Sequence, residues 1–206
     1  METETEVGNA NRSIWRLVMI GMSWLGNTTR ADEVTPAKPA RKPVKLPGIV
    51  IDFEKQCVDL EATVCLDRGF LELVACAKGS KEHESIVTLD TKAYLAHAAL
   101  LALGAETGGP ARFNPTYQPA SGTEIEVLVK WLDKNGKKQQ VRAQEWIRDL
   151  STKKAMTHGW VFAGSDFWTD ASTGKRHYEG EGGDFICVSN FPSAMLDLPI
   201  ESTQTN

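Results

Sequence analysis

The densest group of ionisable side chains lies in residues 76–85, here called the charged segment, which reads Cys-Ala-Lys-Gly-Ser-Lys-Glu-His-Glu-Ser. It places one imidazole, His83, between the carboxylates of Glu82 and Glu84. A carboxylate beside an imidazole can orient its tautomer or raise its pKa, which prepares a general base or a metal ligand. The segment therefore predicts a site for ligand binding or for acid–base chemistry.

The elements around the charged segment are strongly apolar. Strands are predicted directly before and after it, and an alanine- and leucine-rich helix follows from Asp90 or Thr91 to Leu103, with Gly104 ending it. Because this helix must fold back near the charged segment, we expect its histidine, His97, to lie beside that segment. The candidate binding residues are Lys78, Lys81, Glu82, His83, Glu84 and His97.

Known catalytic and metal-binding motifs are absent from the sequence. A zinc protease needs a second histidine one helical turn after His83, and position 87 is valine. No Gly-x-Ser-x-Gly elbow, phosphate-binding glycine loop or calcium-loop spacing occurs. We therefore assign no catalytic residue and no metal ligand, and the cofactor stays open.

The composition suits one globular domain that does not bind nucleic acid. The chain has 206 residues, 41% of them hydrophobic, with a formal net charge of −4 and a pI near 5.6. This length allows a single well-buried core. A phosphate-binding surface needs clustered Lys and Arg, which a net negative charge disfavours.

The N-terminus predicts export. The apolar stretch 14–25 follows Arg12 and precedes Thr29-Arg30-Ala31, which has the small residues of a leader-peptidase site at −3 and −1. The stretch is shorter than the roughly 20 residues that span a bilayer. We predict a signal peptide over residues 1–31 and an extracytoplasmic location, periplasmic or secreted. The alternative is an uncleaved leader, which would be the only membrane contact.

The remaining chain divides into three parts. Residues 32–47 are rich in Pro, Lys and Arg, a composition that predicts an extended tether. Residues 48–200 then form a single domain, and residues 201–206 are expected to be a flexible tail.

The cysteines allow a disulfide but do not identify one. They are Cys57, Cys65, Cys76 and Cys187, and no two have the C-x-x-C spacing of zinc, iron–sulfur or thioredoxin-type sites. The alternation before Asp67 predicts a hairpin in which Leu66 pairs with Leu71. That register puts Cys65 and Cys76 about 13 Å apart, beyond the reach of a disulfide. A bond from Cys187 to either of them stays open.

The second half of the chain is predicted to be mostly β. Residues 123–133 alternate as a strand, Asn135-Gly136 predicts a type I′ turn, and residues 137–142 return. Together with the helix at about residues 91–103, this predicts an α+β fold. It consists of an antiparallel-rich sheet with one main buried helix packed on it.

Four stretches carry a resemblance to a known family. They are Cys76-x-Lys78-Gly79-Ser80-Lys81-Glu82-His83-Glu84-Ser85, His97-Ala98-Ala99-Leu100-Leu101-x-Leu103-Gly104-Ala105, Trp160-Val161-Phe162-Ala163-Gly164-Ser165, and residues 188–199. Over roughly residues 47–199 the chain resembles the YdjY-like domain family, many of whose members are exported bacterial proteins. The resemblance implies an exported domain without established catalytic residues. Some members of the family are linked to iron–sulfur segments, whose cysteine run this chain lacks.

We therefore expect a domain that binds a small molecule or a protein partner around the candidate binding residues, without catalysis. One alternative is a metal-dependent or acid–base hydrolase that uses His83, Glu84 and His97. A shared site of this kind requires the two imidazoles to lie within about 8 Å of each other. A second alternative is a redox accessory protein.

Overall fold

The computed structural model describes residues 15–21 and 41–203. Its strands are β1 (Trp15–Gly21), β2 (Val44–Leu46), β3 (Ile49–Asp52), β4 (Cys57–Val64), β5 (Leu73–Ala77), β6 (Ser85–Leu89), β7 (Thr107–Gly109), β8 (Ser121–Gly122), β9 (Glu124–Leu132), β10 (Lys138–Arg142), β11 (Trp160–Phe162), β12 (Phe167–Thr169), β13 (Arg176–Tyr178), β14 (Ile186–Cys187) and β15 (Leu196–Asp197). The α-helix of this part of the chain is α1 (Ala93–Ala102), and short 3-10 turns cover Glu82–Glu84, Ala143–Trp146 and Glu179–Gly182.

One large mixed sheet organises the molecule. Its strand order is β1-β9-β11-β15-β14-β5-β6-β4-β3-β2, with β10 beside β9. Because β1 also pairs with β4, the strands from β1 round to β4 form a closed ring. Most pairs are antiparallel, whereas β5 is parallel to β6 and β14 to β15. The prediction of an α+β fold with one helix packed on an antiparallel-rich sheet is confirmed in outline, but the molecule is mostly β and the sheet is mixed.

The core lies between the strands of the main sheet and α1. In β9 the residues Ile125, Val127 and Val129 alternate into it and are at most 2% exposed. The largest buried side chains include Trp160 and Phe162 of β11. Burying a side chain of this size stabilises the fold by about 1.5–3 kcal/mol, so this alternation fixes which face of each strand points inward.

Helix α1 packs on the sheet through small residues. Ala93, Ala96, Ala99 and Leu100 are at most 1% exposed and belong to the main core cluster. The helix ends at Ala102, one residue before the predicted Leu103, and Gly104 follows with a φ of +93° that favours glycine. The predicted cap at Asp90 or Thr91 is wrong, because the helix begins at Ala93 with Lys92 at the N-cap and without a side-chain cap.

The predicted hairpin between β4 and β5 is wrong, because β6 lies between these two strands. Val87 of β6 is opposite Val64 on one side and opposite Ala75 on the other. Alternation determines which face of a strand is buried but does not determine which strand lies next to it. The charged segment is consequently the crossover that joins the parallel strands β5 and β6.

The apolar stretch that predicts a leader contributes β1. Leu17, Val18 and Met19 are at most 1% exposed. The rest of the predicted leader, to Ala31, lies outside the described residues, so its cleavage stays a prediction. No helix in the described ranges 15–21 and 41–203 is long and apolar enough to cross a membrane.

Both predicted boundaries of the domain carry ordered contacts. β2 extends the sheet before Gly48 by pairing with β3. Near the other end, the Ser202 N–H donates to Asn190 Oδ1 at 2.7 Å, and Ser202 Oγ donates to Val188 O at 2.7 Å. Residues 204–206 of the predicted tail lie outside the described chain.

Candidate functional site

The charged segment is a crossover fixed by its own hydrogen bonds. Ser85 Oγ donates to Lys81 O at 2.7 Å, and the Glu82 carboxylate accepts the N–H of Gly79. Gly79 has a φ of +81°, a conformation that side chains rarely adopt, so the chain can turn there before the 3-10 turn. These bonds hold Lys81 in one position at the start of β6.

Lys81 lies in a half-buried acidic environment. Its Nζ is 2.8 Å from Asp184 Oδ1 and 3.8 Å from Glu84 Oε1, and it lies 4.3 Å from the centre of the Phe191 ring. Burial lowers the pKa of Lys81, but the carboxylates of Asp184 and Glu84 outweigh this effect and raise the pKa. We call Glu72, Lys81, Glu84, Asp184 and Phe191 the acidic corner.

The acidic corner contains two neighbouring carboxyl groups, those of Glu72 and Glu84. Their backbones are joined by the bond from Glu72 N–H to Glu84 O at 3.0 Å. Burial raises the pKa of Glu72, and the neighbouring Glu84 charge raises it further. Two close carboxylates cannot both ionise easily, so the pair holds a proton more tightly than an isolated glutamate does.

The other predicted residues of the charged segment differ in their contacts and do not form one cluster. His83 has a side chain that is 78% exposed, with Nε2 3.7 Å from Glu84 Oε2. Lys78 forms an exposed ion pair with Asp90 at 2.6 Å. The Glu82 carboxylate accepts the N–H of Gly79 within the crossover. The structure thus brings Lys81, His83 and Glu84 together.

His97 belongs to a different cluster. Its Nδ1 is 3.0 Å from the Tyr178 hydroxyl, which donates to Gly164 O at 3.1 Å, so the hydroxyl accepts from a protonated Nδ1. The imidazole meets the rings of Phe162 and Tyr178 edge-on, at centroid distances of 5.0 and 5.4 Å. Burial lowers the pKa of His97. Its ring and hydrogen-bond partners are therefore not those of His83.

The thiols of Cys65 and Cys76 lie together beneath the charged segment. Each thiol contributes to the pKa shift of the other, and Cys65 Sγ donates to Ser85 O at 3.1 Å. The two cysteines are not bonded to each other, as the sequence predicted, although the hairpin register behind that prediction is wrong. Cys57, Cys65, Cys76 and Cys187 are all free thiols.

The two thiols of the Cys65–Cys76 pair differ in pKa. The proximity of Cys65, together with Ser85, Ser80 and the Lys81 backbone, outweighs burial and lowers the pKa of Cys76 to about 6. The same contact and burial raise the pKa of Cys65. Cys76 is fully buried, whereas Cys65 is half-buried. The pKa of Cys76 is therefore lower than that of Cys65, and Cys65 is the thiol closer to solvent.

Sequence reasoning missed Glu72, Asp184 and Phe191. Asp184 and Phe191 lie more than a hundred residues after Lys81, so no spacing rule connects them to it. Glu72 had one available signal, because it is a lone carboxylate in an otherwise apolar run that leads into β5. A charged residue in such a run is rarely buried without a partner.

Comparison with known proteins identifies one family. A family model described as YdjY domain matches residues 49–206 of the chain. No curated protein and no solved structure shows significant similarity to it. The match confirms the resemblance drawn from the sequence and includes every residue of the acidic corner and both members of the Cys65–Cys76 pair.

Proposed function

The chain belongs to the YdjY domain family, and we propose that it is an exported, non-catalytic domain that binds a cationic group at the acidic corner. The cationic group is an amine or guanidinium, carried either by a small molecule or by a basic side chain of a protein partner. The export part of the proposal rests on the leader-like stretch at residues 14–25.

One observation carries the binding proposal: Lys81 lies between the carboxylates of Asp184 and Glu84, and burial together with the Glu84 charge raises the pKa of the neighbouring Glu72. With Asp184, the corner holds three carboxyl groups and one ammonium. An incoming cation would relieve the repulsion within the Glu72–Glu84 pair. Charge-assisted hydrogen bonds to a half-buried carboxylate are stronger than those to an exposed one.

The contacts of the Lys81 ammonium support an organic cation as the ligand. Its ammonium already lies between two carboxylates and over the face of Phe191, which is the environment that aromatic and acidic sites offer to amines. In contrast, within the described part of the chain no three His, Cys, Asp or Glu side chains are placed to hold a metal ion. The arrangement suits a group that forms directed hydrogen bonds.

The hydrolase alternative is weaker than the binding proposal. It would use His83, Glu84 and His97 together, but His83 contacts Glu84 whereas His97 contacts Tyr178 and Phe162. A general base and its orienting partner must lie within hydrogen-bond reach of each other. Within that set, His83 Nε2 lies 3.7 Å from Glu84 Oε2.

Isothermal titration calorimetry of the full chain with three probes tests the binding proposal. The probes are agmatine, the amidated tripeptide Gly-Arg-Gly and the tripeptide Gly-Glu-Gly. We expect the two guanidinium probes to bind and the acidic tripeptide not to bind. Tighter binding of agmatine would indicate a small-molecule ligand, and tighter binding of the tripeptide would indicate a peptide partner.

Matched variants locate the binding. Glu84→Gln should weaken the guanidinium probes at least about tenfold, the effect of losing one charge-assisted bond of about 1.5 kcal/mol. Glu61→Gln removes the same charge from an exposed position on β4 and should leave binding unchanged. Equal affinities of the two variants would show that the acidic corner does not hold the probe.

The mutual influence of the Cys65 and Cys76 thiols on each other's pKa favours a second candidate function, that of a redox accessory protein. In this proposal the dithiol reduces a disulfide such as glutathione disulfide. Cys65 loses its proton as it attacks one glutathione sulfur, and one glutathione thiolate leaves; Cys76 then attacks Cys65 Sγ as a thiolate, and the second glutathione thiolate leaves. The products are one protein disulfide and two glutathiones, which take up the protons that the two thiols held, so protons and electrons balance.

Intact-mass analysis after incubation with glutathione disulfide tests the redox proposal. The native chain should lose the mass of two hydrogens under non-denaturing conditions. Cys76→Ser should instead stop at the mixed disulfide on Cys65. A native chain that keeps its mass while the disulfide is in excess would refute this role.

A further inference from the structure

Strand β1 is paired along both of its edges, and we propose that the gap between β4 and β9 is a strand-binding groove that accepts the segment Trp15–Gly21 as a separable ligand. The segment is held by backbone pairing and side-chain burial rather than by its connection to the rest of the chain. This groove is distinct from the acidic corner, and the proposal does not rest on the binding function given above.

The backbone of β1 pairs with two strands at once, β4 on one edge and β9 on the other. Its register on β4 runs from Trp15 opposite Ala62 to Ile20 opposite Cys57. Its register on β9 runs from Arg16 opposite Lys130 to Gly21 opposite Ile125. The outer edges of β4 and β9 are occupied by other strands: β3 and β6 beside β4, β10 and β11 beside β9.

Removal of β1 would therefore leave a groove with two unpaired strand edges. Its width equals two strand spacings, about 9.5 Å, which is the space for one extended chain. Unpaired backbone N–H and C=O groups away from water are unfavourable, and open edges recruit other strands. A groove of this kind binds by adding the missing strand, as known peptide-binding sheets do.

The side chains of β1 define what the groove accepts. Leu17 and Met19 point into the main core and are at most 1% exposed. Val18 points to the opposite face, where it packs with Cys57 and Leu128. The groove therefore fits an extended segment that is apolar on both faces.

The N-terminal end of β1 is open to solvent. Arg16, at the beginning of β1, is exposed. A polar or charged side chain can thus be accommodated there, which gives the segment a position where a substitution should leave binding intact.

The family match supports the separation of strand and groove. It begins at residue 49, so it includes β4 and β9, which form the walls of the groove, and excludes β1, which fills it. The walls thus lie within the family match, whereas the strand that occupies the groove lies outside it.

The connection between β1 and the domain is long for the distance it has to span. Gly21 lines a small cavity together with Gln56, and Arg41 stacks on Phe53 at 5.5 Å. Both ends of residues 22–40 thus lie beside the loop that joins β3 to β4. Nineteen residues can extend about 60 Å, so the connection does not determine where β1 binds. Cleavage after Ala31 would cut only this connection and leave the occupied groove intact.

The test uses the full chain with the recognition sequence of a site-specific protease inserted between Asp32 and Glu33. The folded protein is cleaved, and gel filtration with native mass spectrometry determines whether the N-terminal fragment stays bound. An excess of isotope-labelled synthetic peptide covering residues 13–24 is then added to measure exchange. Two further peptides carry either Leu17→Asp with Met19→Asp or, as the matched control, Arg16→Asp.

We expect the cleaved fragment to remain bound and to exchange with the native and Arg16→Asp peptides. The peptide with the two buried substitutions should compete at least about a hundredfold less well. Loss of the fragment on gel filtration, with or without unfolding of the remaining domain, would overturn the proposal. So would a fragment that stays bound but never exchanges, or equal competition by all three peptides.

Discussion

Lys81 Nζ lies 2.8 Å from Asp184 Oδ1, so the crossover between β5 and β6 is tied to the segment that leads into β14. The Lys81 side chain is 27% exposed and that of Asp184 is 9% exposed. The second oxygen of Asp184 accepts a hydrogen bond from Ser193 Oγ. Through this ion pair the charged segment contacts Asp184 and forms one side of the acidic corner.

The first prediction concerns the stability that this ion pair provides. Lys81→Met should lower the free energy of unfolding by about 1–2 kcal/mol, because Asp184 would keep a mostly buried charge without its cation. The value is below that of a fully buried pair because Lys81 is partly hydrated. Urea unfolding at pH 7 measures it.

Lys78→Met is the matched control for that measurement. Lys78 pairs with Asp90, and both side chains are more than half exposed, so the change should stay below about 0.5 kcal/mol. Equal losses in the two variants would mean that the Lys81–Asp184 pair is no more than a surface contact.

The second prediction concerns the thiolate of the Cys65–Cys76 pair. Absorbance at 240 nm should rise with a midpoint near pH 6, since Cys65 and its neighbours lower the pKa of Cys76 to about 6. Cys65→Ala should move this midpoint upward, because alanine has no group that can stabilise the Cys76 thiolate. Cys57→Ala, at a cysteine outside the pair, should leave it in place. An unchanged midpoint in Cys65→Ala would contradict the coupling.

The third prediction concerns the pH dependence caused by His97. Burial lowers its pKa in the folded state, so the folded protein prefers the neutral imidazole. Its contribution to stability is complete above the unfolded pKa of about 6.5 and is lost as the pH falls through the folded value. His97→Phe should remove this part of the acid destabilisation, which one proton limits to about 1.4 kcal/mol per pH unit.

Urea unfolding of both proteins between pH 7.5 and pH 5 measures this difference. The comparison is direct because a phenylalanine can pack against Phe162 in place of the imidazole. Parallel stability curves for the native chain and His97→Phe would show that the imidazole does not titrate with folding.

Local patterns in the sequence predicted the elements whose causes are local. The end of α1 at Gly104 follows from the conformational freedom of glycine, and the β9–β10 hairpin follows from the Asn135-Gly136 turn, where Gly136 has a φ of +75°. Lys81 and Glu84 could be placed near each other because they are three residues apart in one turn.

Features that depend on distant parts of the chain were missed. The insertion of β6 between β4 and β5 leaves no mark on the alternation of either strand. The apolar stretch 14–25 has two compatible interpretations, because a leader and a buried strand both require a short hydrophobic run. Asp184 and Phe191 join the site only through the tertiary fold.

The most direct test of the acidic corner is the NMR titration of the Glu72 side-chain carboxyl carbon with and without saturating amidated Gly-Arg-Gly. Without the probe, burial and Glu84 raise the pKa of Glu72. A bound guanidinium should favour the ionised form and lower that pKa, and by linkage the probe should bind more tightly above the pKa than below it. A Glu72 titration curve that is the same with and without the peptide would contradict the assignment of this corner as a cation-binding site.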